Sequence, residues 1–165
     1  MGRGPYRAAT LAGMARMTKA PGGDGVGRLI EDEAGISALV NNLRRVAVLG
    51  IKTEAQRHQP AYSVPEYVQR VGIEVVPVPV YYPDVTEILG QKVYRTVSAI
   101  PGELDLVDVF RRPQDIDQHV DDLIAKHPKA VWFQLGIRND AAAQRLVDAG
   151  IDVVQDRCLL VDHSR

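Results

Sequence analysis

Short apolar runs that close on glycine or proline alternate along this chain with stretches whose apolar residues return every three or four positions. In residues 29–45, Ile36, Leu39, Val40 and Leu43 fall at i, i+3, i+4 and i+7, which predicts an amphipathic helix interrupted weakly by Gly35. Residues 45–50 (RVAVLG) follow as a nearly continuous apolar run, the pattern of a parallel strand buried on both faces. Ser63-Val64-Pro65-Glu66 reads as a capping box with Ser63 as N-cap. The helix behind it would bury Val64, Tyr67, Val68 and Val71 and stop at Gly72. A second strand is expected over 73–80, with regular pairing ending by Val76 because Pro77 and Pro79 cannot donate to a ladder. A loop over 81–90 leads to a short edge strand over 92–96 and a buried strand over 104–110. Pro113 suits the first turn of a helix whose apolar face is Ile116, Val120, Leu123 and Ile124. A strand over 129–135, a helix capped by Asn139 and ended by Gly150, and a last strand over 151–155 complete the pattern.

Strands alternating with helices predict an α/β fold. The expected form is Rossmann-like and doubly wound, a mainly parallel sheet of five to six strands with helices on both faces. A chain of 165 residues fits one domain, placed over 27–165. Residues 1–26 stand apart. Up to position 23 they carry Arg3, Arg7, Arg16 and Lys19 and no acid, as in a tail without stable structure. The other reading is a transit peptide, which would place the protein in a mitochondrion or plastid instead of the cytoplasm. No apolar run approaches the roughly 20 residues that cross a bilayer. A net charge of −1 creates no field favouring nucleic acid or an anionic membrane. The partner expected is a small nucleotide-type ligand, and a homo-oligomer stays open.

The chemistry lies where such sheets bind ligands, outside the carboxyl ends of their strands. That rule selects loops beginning at Gly50, Pro77, Phe110 and Gln134. The first is unusual. After Gly50 no glycine follows until Gly72, so the three-glycine dinucleotide turn is absent. After the second strand no acid occurs until Asp84, whereas NAD sites place one near the strand end for the ribose. The long connection over 50–63 holds Lys52, Arg57 and His58. Phe110, Arg111 and Arg112 would flank an adenine or hold a phosphate; alternatively they are a packed ring and two solvated arginines. Gly136 would admit a ligand close to the backbone, and the helix at Asn139 offers free N–H groups. The four histidines show no metal-ligand spacing, and His119 and His127 are expected at exposed helix positions. Asp105 reads as a strand-start residue and Asp108 as a strand-end residue orienting a loop. No catalytic set is assigned, since no GxSxG elbow or Ser, His and Asp arrangement occurs. Cys158, beside Arg157, is either a reactive thiol or, as expected here, a buried structural residue.

Taken in order, these strand-end segments resemble the small stand-alone CoA-binding proteins, related to the CoA-binding domain of the succinyl-CoA synthetase α subunit. The resemblance is carried by VAVLGIK (46–52), YSVPEYVQRVGIEVVPVPV (62–80), EILGQKVYRTVSAIP (87–101), DLVDVFRRP (105–113), AVWFQLGIRN (130–139) and AGIDVVQDRC (149–158). It implies coenzyme A or an acyl-CoA as ligand, bound without catalysis by a sensor, carrier or regulatory module. An NAD(P)-dependent or other nucleotide-dependent enzyme on the same fold is the alternative. By resemblance, Gly50, Ile51 and Lys52 would face the ADP phosphates and Pro77, Val78 and Pro79 would border the adenosine. Phe110, Arg111 and Arg112 would close over nucleotide and pantetheine, and Gln134 and Gly136 would meet the pantetheine. Two departures stand out. Lys52 occupies a position usually Ser, and Pro77-Val78-Pro79 replaces Val-Asn-Pro, so Lys52 or Arg57 would supply the charge for the 3′-phosphate.

Overall fold

A computed structural model describes residues 25–165. The tail or targeting segment expected over 1–26 lies outside the described residues, apart from its last two positions. The chain builds helix α1 (Glu33–Val40), strand β1 (Arg45–Leu49), helix α2 (Pro60–Arg70) and strand β2 (Glu74–Val78). A hairpin of β3 (Glu87–Ile88) and β4 (Gln91–Lys92) precedes β5 (Leu106–Val109), α3 (Asp117–Lys126) and β6 (Ala130–Phe133). Helix α4 (Asp140–Asp148), strand β7 (Asp152–Val154) and helix α5 (Leu159–His163) complete it.

The fold is α/β and Rossmann-like. Its five-stranded sheet runs β2-β1-β5-β6-β7, with every pair parallel; the hairpin forms a separate antiparallel sheet. Strand residues alternate between two cores, as the period of two requires. Ala47, Leu49, Val107, Val109, Val131 and Phe133 pack with Val120 and Leu123 of α3 and Leu146 of α4. Val46, Val48, Leu106 and Trp132 pack on the other face with Ile36 of α1, Tyr62, Val64 and Val68 of α2, and Leu159 of α5. Each such buried aliphatic side chain stabilises the fold by about 1.5–3 kcal/mol over exposure. At the β7 edge Ile30 N–H donates to the Val153 carbonyl and the Arg28 carbonyl accepts from Val153 N–H, which is why the helix expected over 29–45 begins only at Glu33. Asp32 caps it, its side chain accepting from Gly35 N–H at 2.9 Å.

Three further expectations are corrected. The box at Ser63 is not a helix start; Pro60 occupies the first turn and Gln59 is the N-cap. Pro65 therefore lies inside α2, where its ring removes the N–H that would bond to Ala61. The freed Ala61 carbonyl accepts instead from Lys52 N–H at 3.1 Å. Strand β2 does not stop at Val76, because Pro77 faces the open edge of the sheet. Its carbonyl accepts from Tyr94 N–H, while Val78 keeps the ladder by accepting from Gly50 N–H. The strand expected over 92–96 is replaced by β4, which shares only Lys92 with it. Helix α5 was not legible in the periodicity, being five residues long. Tertiary contacts hold it. Trp132 Nε1–H donates to the Arg157 carbonyl at 2.7 Å, and the Arg157 guanidinium spans Asp162 and Glu33.

Candidate functional site

The strand order places a topological switch at β1. Helix α2 leaves β1 toward one face of the sheet, and the chain after β5, on the other side of β1, goes to α3 on the opposite face. Such divergence opens a crevice at the carboxyl ends of the two strands. The strand ends nearly touch there. Phe110 N–H donates to the Leu49 carbonyl at 2.9 Å, and a Cβ on Gly50 would lie 2.3 Å from the Phe110 carbonyl oxygen. Gly50 also has φ of +88°, so the turn requires glycine both for its backbone and for its neighbour.

A cavity of about 510 Å³ opens at this crevice. Its walls come from the start of α2 (Gln59, Pro60, Ala61, Val64), the loop after β5 (Phe110 to Pro113), the loop after β6 (Gln134 to Ile137) and Cys158 at the start of α5. Five of the sequence-derived residues thus meet in one pocket: Phe110, Arg111, Arg112, Gln134 and Gly136. The other six do not line it. Gly50 forms the turn beside it, and Ile51 is buried. Lys52 is tied through its backbone to the pocket residue Ala61, and no side-chain partner for its ammonium occurs among the described residues. Pro77, Val78 and Pro79 are buried in β2 and just after it. Sequence reasoning missed Gln59, Pro60 and Ala61 because it started the helix at Ser63. Pro60 was the available signal, a proline that shortens the unusually long connection and suits a first helical position.

The two arginines differ sharply. Arg112 is exposed and paired with Asp115 at 2.6 Å. Arg111 is buried and held on several sides: Nε–H donates to His119 Nε2 at 3.1 Å, and the guanidinium lies 5.7 Å from the centre of the Tyr81 ring. Its contact with Asp115 is longer, at 4.0 Å. His119 is therefore half-buried, not exposed, and its Nε2 serves as an acceptor. Burial, then the Arg111 charge, push its pKa below the ordinary histidine value against the opposing pull of Asp122 and Asp115. His127 is likewise half-buried; it ends α3 in the left-handed conformation with its ring against the Ala149 carbonyl. Helix α2 presents its amino end to the pocket with no side-chain cap, an arrangement favourable to an anion. The loop after β6 is fixed by Asp156, whose carboxylate accepts from Gly136 N–H at 2.6 Å. Asn139 caps α4 as expected, accepting from Ala142 N–H.

Asp108 is not a strand-end residue orienting a loop; it lies inside β5 and is fully buried. Asp105 does sit at the strand start, accepting from the N–H groups of Arg44 and Arg45 and from Lys129. Cys158 is half-buried and lines the pocket. Among the described residues no three His, Cys, Asp or Glu side chains gather as a metal ion would require, and no helix is long and apolar enough to cross a membrane.

Fold and pocket together define an α/β protein of the class that takes nucleotide-type small molecules at the switch point of a parallel sheet. More particularly, the chain belongs to the CoA-binding domain family, whose model matches residues 44–164. It is 30% identical over 132 residues to the uncharacterized protein YneT of Bacillus subtilis (strain 168), covering 80% of this chain and 94% of that protein. Its fold is similar to that of cell-free ID.343 from Thermus thermophilus, with 33% identity and a TM-score of 0.74, over 82% of this chain and 98% of that one. It is also similar to a hypothetical protein from Pyrococcus horikoshii OT3, with 30% identity and a TM-score of 0.73, over 90% of this chain and 98% of that one.

Proposed function

We propose that the switch-point pocket binds coenzyme A or an acyl-CoA and that the chain acts as a binding module, a sensor or carrier, without catalysing a reaction. The observation that carries this reading is the mixed lining of the pocket at the switch point. The uncapped amino terminus of α2 opens into it, and Lys52, outside the lining but bonded through its backbone to the pocket residue Ala61, is a cation with no side-chain partner among the described residues. Phe110, Val64, Ile137 and Cys158 supply apolar walls beside the Gln134 carboxamide. Coenzyme A has the matching form, an anionic nucleotide joined to a long, largely apolar arm with amide groups. Family membership points to the same ligand.

In this reading the phosphates lie at the start of α2 near Lys52 and Arg57, and Arg111 closes over the nucleotide. Its ring and imidazole partners hold the guanidinium in one position, which reduces the entropy lost on binding. The pantetheine follows Phe110 toward Gln134 and Gly136. Isothermal titration with CoA, acetyl-CoA, NAD and NADP tests the assignment. Saturable binding of CoA or acetyl-CoA with no binding of the nicotinamide nucleotides is expected; binding of NAD without CoA overturns it.

A further inference from the structure

Beneath the pocket lies a buried acid that the binding reading leaves unused. Asp108 projects from β5 toward the α2 and α5 side of the sheet, flanked in register by Val48 and Trp132. Gln134, two residues beyond Trp132, lies on the same side and lines the pocket. Its carboxamide has a fixed orientation. Oε1 accepts from Leu159 N–H at 3.1 Å, which turns Nε2 toward Asp108 Oδ2 at 3.4 Å. Among the described residues, Asp108 Oδ1 is the buried side-chain oxygen or nitrogen left without a partner.

Burial pushes the Asp108 carboxyl well above the ordinary carboxylate range, with no charged group from the elements packed around it contributing. The shift favours the uncharged form of the group. Oδ2 accepts from Gln134 Nε2–H. A carboxamide nitrogen has two hydrogens. One is directed at Asp108, and the other is left for the pocket that Gln134 lines.

We propose that Asp108 is a positioning residue for the pocket: its buried carboxyl, with Leu159 N–H, holds the Gln134 carboxamide so that the second Nε2–H donates to a carbonyl oxygen of the ligand, an amide or thioester. The ligand identity rests on the CoA reading above, whereas the Asp108–Gln134 contact belongs to the free protein.

The test combines three variants with two ligands. Asp108→Asn keeps an acceptor for Gln134 and cannot ionise; Asp108→Val removes the acceptor; Gln134→Leu removes the donor. Asp108→Asn, which keeps an acceptor oxygen, should keep the wild-type CoA affinity. Asp108→Val and Gln134→Leu should each weaken CoA by about tenfold, the scale of one buried hydrogen bond. Both should leave adenosine 3′,5′-bisphosphate, which has no carbonyl, unchanged. Equal weakening of both ligands, or loss of CoA affinity in Asp108→Asn matching that in Asp108→Val, overturns the proposal. The Gln134 side-chain amide resonances of the ligand-free protein give a separate reading. They should be resolved and rigid in wild type and Asp108→Asn and averaged in Asp108→Val; unaltered resonances in Asp108→Val overturn the proposal whether or not CoA binds. Where Asp108→Val does not fold, Gln134→Leu with the two ligands decides. If wild type binds neither CoA nor the bisphosphate while the resonances behave as expected, the CoA reading fails and the positioning role stands.

Discussion

At Gly50 and His119 single side chains decide what the pocket can be. A methyl group on Gly50 would collide with the Phe110 carbonyl and occupy a left-handed backbone at φ +88°. Gly50→Ala should therefore cost about 2–4 kcal/mol, combining strain and overlap. Urea unfolding would measure it as a lower midpoint at unchanged slope. His119 contributes through its acceptor nitrogen. Because burial and Arg111 hold its folded pKa below the ordinary histidine value, the unfolded chain takes up a proton first as pH falls. The contribution is present above the unfolded histidine pKa and is lost on acidification below it. Thermal melts across pH 5 to 8 should show this loss, and His119→Gln, which retains an acceptor oxygen, should flatten that part of the profile.

Among the elements, α2 shows how far local sequence rules reach. Two prolines five residues apart each suit a helix start, and Ser63 with Glu66 makes the later one attractive. The structure uses Pro60, because Lys52 N–H accepts the role that Pro65 vacates by bonding to the Ala61 carbonyl. That contact is tertiary and has no signature in a window of sequence. Pro65→Ala should shift stability by no more than about 1 kcal/mol, the restored helix bond offsetting the lost loop contact. Hydrogen exchange at the Lys52 amide should nevertheless quicken. The strands were legible for a simpler reason: in a parallel sheet both faces are buried, so their apolar runs are continuous. The edge prolines misled only because strand order, not composition, decides which side of β2 is free. The Asn139 cap was readable from one residue, since it acts within its own turn, while α5 depends on contacts from Trp132, Gln134 and Glu33 far away in the chain.

At the scale of the whole molecule, the switch at β1 gathers the ends of β1, β5 and β6 with the starts of α2 and α5 into one pocket. The rule that ligands lie at strand carboxyl ends located this region from sequence, and the loops after β5 and β6 enter the cavity. The residues at the end of β2 were harder to judge, because Pro77, Val78 and Pro79 follow the rule in sequence yet are buried. The two arginines provide a quantitative contrast. Arg111→Ala should weaken CoA binding by about 1–3 kcal/mol, as expected for a buried, preorganised contact. Arg112→Ala should change it little, since Arg112 is exposed and already paired with Asp115. Titration of both variants at one salt concentration separates them. The most direct measurement is a crystal structure at saturating CoA. Density should run from the amino end of α2, with the phosphates there, past Phe110 to Gln134 and Cys158. An empty pocket under those conditions, or CoA ordered elsewhere on the protein, would contradict the assignment.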